Sequence, residues 1–417
     1  MSTYRLPYGK SALELTLPDR PGWEVCLLAP REVAPAPEPR AAVEDALDSQ
    51  PISRSGETVV VAINDKTRPV PHDVLLPPLL RRLEGLGYGP ERITLLIATG
   101  THLPMREDEF VSVVPPAVLA RYPVYSHDCD DMTQLVGLGR TARGTPVAVN
   151  RRWHDAGLRV VVGNIEPHQF MGFSGGVKSA AVGLTARATI NANHAMMTAA
   201  GAEINRFGDN PCRQDVEEIG RIIGVHYALN AVLNDHKQIV HALAGAPSDV
   251  MAQGIPLLRA IYEVKVDEPF DLVFVTPGGR PKDINLYQAQ KAFAHATMIA
   301  RPGATVVLVA ECPEGTGSAG YEKWMAAHAF ISHEAVLDAY AAEGYRIGPH
   351  KAWQIARDAT RVNLMFMSAM PRDLAEKLLL NPVASLDEAV GCALAALPGR
   401  ARIAVMPFAN ATIPVLT

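Results

Sequence analysis

The chain predicts an α/β protein of two domains with largely parallel sheets and an active site in the cleft between them. Three observations carry this expectation. Short apolar runs alternate with helical stretches along most of the chain, as parallel strands buried on both faces do. The early runs each end in a polar, unusual segment, and ligands of open parallel sheets bind just beyond the carboxyl ends of strands. At 417 residues the chain exceeds one ordinary core. The expected division is an N-terminal α/β domain over 1–266 and a C-terminal α/β domain over 267–417.

Taken in order, YRLPYGKSALELTLP holds two alternating runs around Gly9-Lys10 and predicts a small sheet. A proline-rich connector, APREVAPAPEPRAA, leads to a short helix near 40–48. TVVVAIND (58–65) predicts a buried strand, and VLLPPLLRRLEGLGY (74–88) a helix interrupted by its two prolines. ITLLIATGTH (93–102), PVYSHD (123–128) and LRVVVGNIEPH predict three more strands, with MREDEFVSVV as a helix after the first of them. Beyond His194 the pattern reads as helical to about 265, broken by NRFGDNP. FDLVFVTPGG (270–279) predicts the first strand of the second domain, followed by the helix DINLYQAQKAFAHATMIA and the strand ATVVLVAEC (304–312). RVNLMFMSAM (361–370) and ARIAVMPFA (401–409) predict two further strands, with SLDEAVGCALAAL as the helix between them.

Composition narrows the function. Hydrophobic content of 48% and charged content of 20% are those of a globular protein, and the formal charge of −5 argues against nucleic-acid binding. Five cysteines without a CxxC pair predict free thiols in a reducing compartment. The N-terminal stretch lacks an apolar signal-like core, and no apolar run is long enough for a membrane span. These features predict a cytoplasmic enzyme with no nucleic-acid or membrane partner.

The chemistry concentrates in GNIEPHQFMGFSGGVKSAAVGLTARATINANH, from Gly163 to His194. Gly172, Gly175 and Gly176 allow backbone N–H groups to converge on an anion, with Ser174 among them and Lys178 just behind. Val177 stands where a P-loop places the glycine directly before its lysine, so the motif does not match and nucleotide hydrolysis is not supported. Lys178 either pairs with phosphate or acts as a neutral nucleophile; a lysine facing solvent on a first helical turn is the plain alternative. His102, His127 and His168 each follow an apolar strand. For His102 and His127 the plain alternative is a ring closing a turn, and for His168 a helix start with Glu166 facing its dipole. In NDKTRP, Arg68 offers a fork for a carboxylate or phosphate, and Asp65 either joins the site or caps the turn. Tyr287, Gln288 and Lys291 share a helical stretch after a Gly-Gly turn, which an ordinary amphipathic helix would also explain.

Together NDKTRP, ATGTH, YSHD, IEPHxxxGFSGGxK, NANH and YQAQK resemble the nickel-dependent lactate racemase family in order and spacing, from about 60 to 360. The resemblance implies a racemase or epimerase inverting C2 of a 2-hydroxyacid by proton-coupled hydride transfer. It implies a nickel-pincer nucleotide, the nickel complex of pyridinium-3,5-bisthiocarboxylic acid mononucleotide, joined covalently to Lys178, with His194 as the nickel ligand from the protein. By the same resemblance His102 and His168 would be acid/base groups on opposite faces of the substrate. Arg68 and Lys291 would hold its carboxylate, with Tyr287 and Gln288 near it and Trp353 in the pocket. Asp65 would lie close to the cofactor, and the backbone around Thr67 and the glycine loop would hold its phosphate. Enzymes that synthesise the cofactor are the implied protein partners. Val182-Gly183 stands where relatives place a proline-glycine pair, and Leu103 where many place a basic residue, so the substrate stays open. The rivals are a C2 epimerase of sugar acids or simple sugars with the same cofactor, a zinc-dependent hydrolase using His102, His127 and His168, and a non-catalytic binding module.

Overall fold

The computed structural model describes residues 1–417 and is mixed α/β, with two six-stranded, mostly parallel sheets. The chain divides into a central unit, 32–261, and a composite unit made of 1–31 and 262–417. This differs from a boundary at 266 with everything before it in one domain. The reason is strand pairing: Trp23–Leu27 lies parallel to Ala401–Met406 at the edge of the composite unit's sheet.

In the central unit the strand order is Ile239–Gly245, Tyr227–Leu233, Leu158–Ile165, Val59–Asn64, Ile93–Ala98, Val124–Ser126. All neighbours are parallel except the first pair. The chain moves one way from Val59–Asn64 through its next two strands, then returns to the other side as Leu158–Ile165. That reversal opens a crevice at the strand ends Asn64-Asp65 and Ile165-Glu166. One face of the sheet packs Val59, Val61 and Ile63 against Leu75, Leu79 and Leu83 of the helix His72–Gly85. That helix runs unbroken through Pro77 and Pro78, contrary to the expected interruption. A proline inside a helix costs about 3 kcal/mol, and each buried leucine returns about 1.5–3 kcal/mol, so the leucine face wins.

Two elements differ from expectation. The stretch read as helical after His194 contains an antiparallel pair, Tyr227–Leu233 with Ile239–Gly245, whose apolar runs suit strand and buried helix alike. MREDEFVSVV forms only a 3₁₀ segment, Glu107–Ser112.

The composite unit orders its strands Pro382–Val383, Asn363–Met367, Ala300–Val309, Phe270–Val275, Ala401–Met406, Trp23–Leu27, all parallel. Alternate residues face opposite layers. Val273, Val275, Val306 and Leu308 meet Ala289, Ala292 and Phe293 of the helix Leu286–Thr297. Leu272, Phe274, Ile403 and Val405 meet Leu6, Leu15 and Leu17 of the hairpin Ser2–Tyr8/Ser11–Leu17. The hairpin turn is pinned where Gly9 N–H donates to Asp283 Oδ2 (2.6 Å) and Arg280 N–H donates to Gly9 O (2.9 Å). No helix is long and apolar enough to cross a membrane.

Leu15→Ala should therefore cost about 2–5 kcal/mol in urea denaturation, as a core residue of the unit completed by 262–417; a loss under about 0.5 kcal/mol, the scale of an ordinary surface change, would mean the hairpin is dispensable. A second expectation concerns pH. Burial pulls His72, His127 and His295 from 6.5 down to about 4. As pH falls between those values the unfolded chain takes up protons that the folded chain refuses. Their contribution is complete above the unfolded value and drains away toward the folded one, each imidazole adding about 1.4 kcal/mol per pH unit. Urea midpoints should drop between about pH 7 and about pH 5, and a flat profile would contradict this.

Candidate active site

Three strand ends, the helical turn Lys178–Ala181 and the helix Arg187–Ala195 build a single cavity in the central unit. Arg68, His102, His168, Ser174, Lys178 and His194 all line it. It lies at the crevice where the strand order reverses, between the ends of Val59–Asn64 and Leu158–Ile165.

His102 follows Ile93–Ala98 through a turn in which Gly100 takes a φ of +57° and His102 N–H donates to Thr99 O. Its Nδ1 lies 2.7 Å from Asp65 Oδ2. The carboxylate can only accept, so the proton sits on Nδ1 and Nε2 keeps its lone pair. Asp65 is buried, and burial alone would raise its pKa; hydrogen bonds from His102 and Thr67 outweigh this and hold it below the usual aspartate range. Asp65 thus orients His102 and also lines the cavity, the place where a contact with cofactor is expected. Thr67 also departs from expectation, because its backbone N–H and its hydroxyl both donate to Asp65 Oδ1.

His168 sits on a two-residue strand, Pro167–His168, paired antiparallel with Gly172–Phe173. Met171 N–H donates to its Nδ1 at 3.2 Å, so a neutral His168 carries its proton on Nε2. The two histidines therefore show opposite tautomers. The tight hairpin requires Gly172 at φ +71°, where a Cβ would stand 1.6 Å from Arg206 O. Gly172 serves packing, then, and does not line the cavity. Gly176 gives its N–H to Asn230 Oδ1 (2.7 Å), and Ser174 gives its own to Glu166 O (2.8 Å). Most of the expected phosphate cradle is thereby spent inside the protein; Gly175 and Ser174 remain on the cavity wall.

Lys178 opens a single helical turn, Lys178–Ala181, and its Nζ lies 3.4 Å from Ser174 Oγ. His194 is carried by Arg187–Ala195. Burial, and then the charge of Lys178, push its imidazole down to about 3, so it is neutral at ordinary pH. Phe170, a residue the motifs gave no reason to single out, stands edge-on to both rings, 4.8 Å from His168 and 5.2 Å from His194.

The helix Pro211–Ile223 holds these parts together. Arg213 is fully buried and donates to Phe173 O (2.9 Å), Gly175 O (3.1 Å) and Glu217 Oε1. Asn193, next to His194, donates to Cys212 O and Asp215 Oδ2, both at 2.9 Å. Neither anchor follows from the motifs. The available signal was an arginine and an aspartate on the apolar face of an amphipathic helix.

His127 lies outside this cavity. It is fully buried, with Nε2 donating to Thr185 O and Nδ1 accepting from Asn150, each at 3.1 Å. Both nitrogens are occupied, so the three-histidine zinc site does not form. The one group of three metal-capable side chains with ligand atoms within 4.8 Å of one another is Asp128, Cys129 and Asp130, and Arg187 already binds the Asp130 carboxylate.

In the composite unit the helix Leu286–Thr297 starts after the strand Phe270–Val275, with Asn285 Oδ1 capping Gln288 N–H. Lys291 Nζ donates to Gln288 Oε1 at 2.7 Å, and Tyr287 Oη lies 3.3 Å from His350 Nε2. Trp353 packs against Tyr340, with ring centroids 5.9 Å apart, and under the Arg357 guanidinium at 5.2 Å.

Comparisons with known proteins agree on one family. Residues 8–205 match the family described as lactate racemase N-terminal domain, and 265–413 that described as lactate racemase C-terminal domain. The lactate racemase of Lactiplantibacillus plantarum is 30% identical over 288 residues, 67% of this chain and 68% of that protein. That of Thermoanaerobacterium thermosaccharolyticum is 27% identical over 338 residues, 78% of each chain. The structure of the lactate racemase apoprotein from T. thermosaccharolyticum superposes with a TM-score of 0.90 at 25% identity, covering 99% of this chain and all of that one. A Thermotoga maritima structure shares the fold alone, with a TM-score of 0.68 at 14% identity over 91% of this chain and 98% of that one.

Arg213→Met should lower stability by about 3–5 kcal/mol, because it strands two loop carbonyls and Glu217. Thermal and urea denaturation measure this, and an unchanged midpoint would show that the loop has other donors.

Proposed function

The chain belongs to the lactate racemase family, a family of isomerases, and on that premise we propose that it inverts C2 of a 2-hydroxyacid using a nickel-pincer nucleotide tethered to Lys178. The observation that carries the proposal is the single cavity lined by Lys178, His194, His102, His168 and Arg68. The side chains suit such a group. His194 is a partly buried imidazole on the cavity wall, in the neutral form that ligates metal, and Lys178 stands close enough to shift its titration. Lys178 would supply the covalent anchor and His194 the protein's nickel ligand. When bound, the group supplies a reversible acceptor for the C2 hydrogen with its electron pair.

The remaining roles fall to the chain. Asp65 fixes the proton of His102 on Nδ1, which leaves Nε2 able to take the hydroxyl proton of one enantiomer. His168 would exchange the proton with the other enantiomer; its neutral ring carries the proton on Nε2 here, so taking a proton at that atom requires the other tautomer, with the Met171 N–H contact released. Two such groups are the least that a catalyst of mirror-image substrates needs. Arg68 would hold the carboxylate as a fork and Lys291 as a point charge, with Tyr287, Gln288 and Trp353 completing recognition. Lactate, which the relatives' names carry, is the first substrate to test, ahead of longer 2-hydroxyacids and sugar acids. Cytoplasmic residence beside the enzymes that synthesise the cofactor belongs to the same proposal, and the five unpaired cysteines support it.

Protein made together with those enzymes should carry an adduct by intact mass that Lys178→Ala abolishes. An unmodified mass under those conditions would sink the tether. His102→Ala and His168→Ala should keep the adduct yet each lower racemisation by about 10²–10⁴-fold; full activity in either removes that residue from the acid/base pair. In heavy water the C2 hydrogen should be retained, and extensive deuterium at C2 would refute transfer with its electron pair.

A further inference from the structure

The cluster around Tyr287 contains a polarity that the proposed substrate role alone does not require. Tyr287 lies on Leu286–Thr297 and is gripped by two consecutive residues of the helix Pro349–Ala359. His350 Nε2 is 3.3 Å from Tyr287 Oη, and the two rings meet edge to face at 5.7 Å. Lys351 Nζ sits 4.4 Å from the centroid of the Tyr287 ring. Both gripping residues are buried. Lys351 is held in turn by Gln354 Oε1 at 2.9 Å and Gln290 Oε1 at 3.3 Å, with no carboxylate within ion-pair reach.

The direction of the His350 bond follows from the backbone. Gly348 N–H donates to His350 Nδ1 at 3.1 Å. An imidazole whose Nδ1 accepts carries its proton on Nε2 when neutral, so Nε2–H donates and Tyr287 Oη accepts. The phenolic hydrogen must then point away from His350. Gly348 can occupy this place because it has no side chain: its φ is +100°, and a Cβ would stand 2.9 Å from the backbone of Gly320 and Tyr321. Glycine, histidine and lysine at 348, 350 and 351 thus form one device with a single output.

We propose that His350 and Lys351 are positioning residues for substrate recognition, His350 making the Tyr287 hydroxyl a one-way donor to the substrate carboxylate and Lys351 fixing the ring that carries it. This rests on the reading of Tyr287 as a substrate-binding residue. The occupant it favours is an acceptor, and a carboxylate above an amide or hydroxymethyl group because its charge strengthens the bond from the phenol. Lys351 acts by contact across the ring face, where its amine and the two glutamines fill the space behind the phenol. Burial, followed by the charges of Lys291 and Arg357, draws this lysine well below the ordinary range, in keeping with its lack of an acidic partner.

The test uses holoenzyme carrying the Lys178 adduct and compares kcat and KM for lactate in Tyr287→Phe, His350→Phe, His350→Gln, Lys351→Met and the double variant Tyr287→Phe/His350→Phe. Tyr287→Phe should raise KM about tenfold, the worth of about 1.4 kcal/mol, with kcat little changed. His350→Phe keeps the ring and removes the donor, and should reproduce that rise; His350→Gln restores an N–H donor and should recover most of it. Lys351→Met should raise KM by a smaller factor. The double variant should be no worse than Tyr287→Phe alone. If Tyr287→Phe raises KM and His350→Phe does not, or if the two factors multiply in the double variant, the positioning role is overturned while the substrate reading stands. If Tyr287→Phe leaves KM unchanged, the substrate reading fails and the proposal falls with it. Should His350→Phe not fold, His350→Leu is read in its place, and rescue by His350→Gln still separates a donor from a mere filler.

Discussion

Two backbone carbonyls, those of Phe173 and Gly175, have to find donors inside the protein, and one buried guanidinium supplies both. The rest of the central unit's site depends on this. The hairpin that carries His168 ends at Phe173, and the turn that launches Lys178 begins at Ser174, so the clamp sits between them. The helix that bears Arg213 also fixes Asn193 through Cys212 and Asp215, one residue before His194. Lys178 and His194 are thus referenced to the same rigid element, as the proposed tether and metal ligand would require.

Much of this was legible in the chain because the physics is local. Parallel strands buried on both faces leave unbroken apolar runs, so Val59–Asn64, Ile93–Ala98, Leu158–Ile165 and Phe270–Val275 announced themselves. The grouping of His168, Lys178 and His194 within one short stretch was equally visible. What escaped depends on distance in sequence. Arg213 matters through carbonyls 40 and 38 residues earlier, and no spacing rule reports that. His127 has the same strand-end context as His102, and only the fold decides that one faces a cavity and the other faces Thr185 and Asn150. The glycine loop looked like an anion cradle because glycine frees the backbone; two of its glycines are needed to admit Arg206 O and the Met251 side chain instead.

Both units reach their polar residues by the same topological device. In the central sheet from Val59–Asn64, and in the composite sheet from Phe270–Val275, the chain adds strands in one direction and then crosses to the other side of that strand, so that two loops diverge and leave a crevice. In the central unit the reversal lies between Val59–Asn64 and Leu158–Ile165, in the composite unit between Phe270–Val275 and Ala401–Met406. The first loop past the reversal carries Asp65 and Arg68 in one unit and leads to Tyr287, Gln288 and Lys291 in the other. Chemistry accumulates there because side chains at diverging loops stay uncovered while their backbones remain anchored to the sheet.

The composite unit has a consequence for how the protein is made. Its edge strand Trp23–Leu27 is made more than 370 residues before its pairing partner Ala401–Met406. Until the strands from 270 onward are made, the leucines of the opening hairpin have no sheet to cover. The central unit, contiguous over 32–261, can meanwhile complete its own sheet from local material. Folding of the whole therefore closes a loop almost as long as the chain, the arrangement that raises contact order and slows assembly.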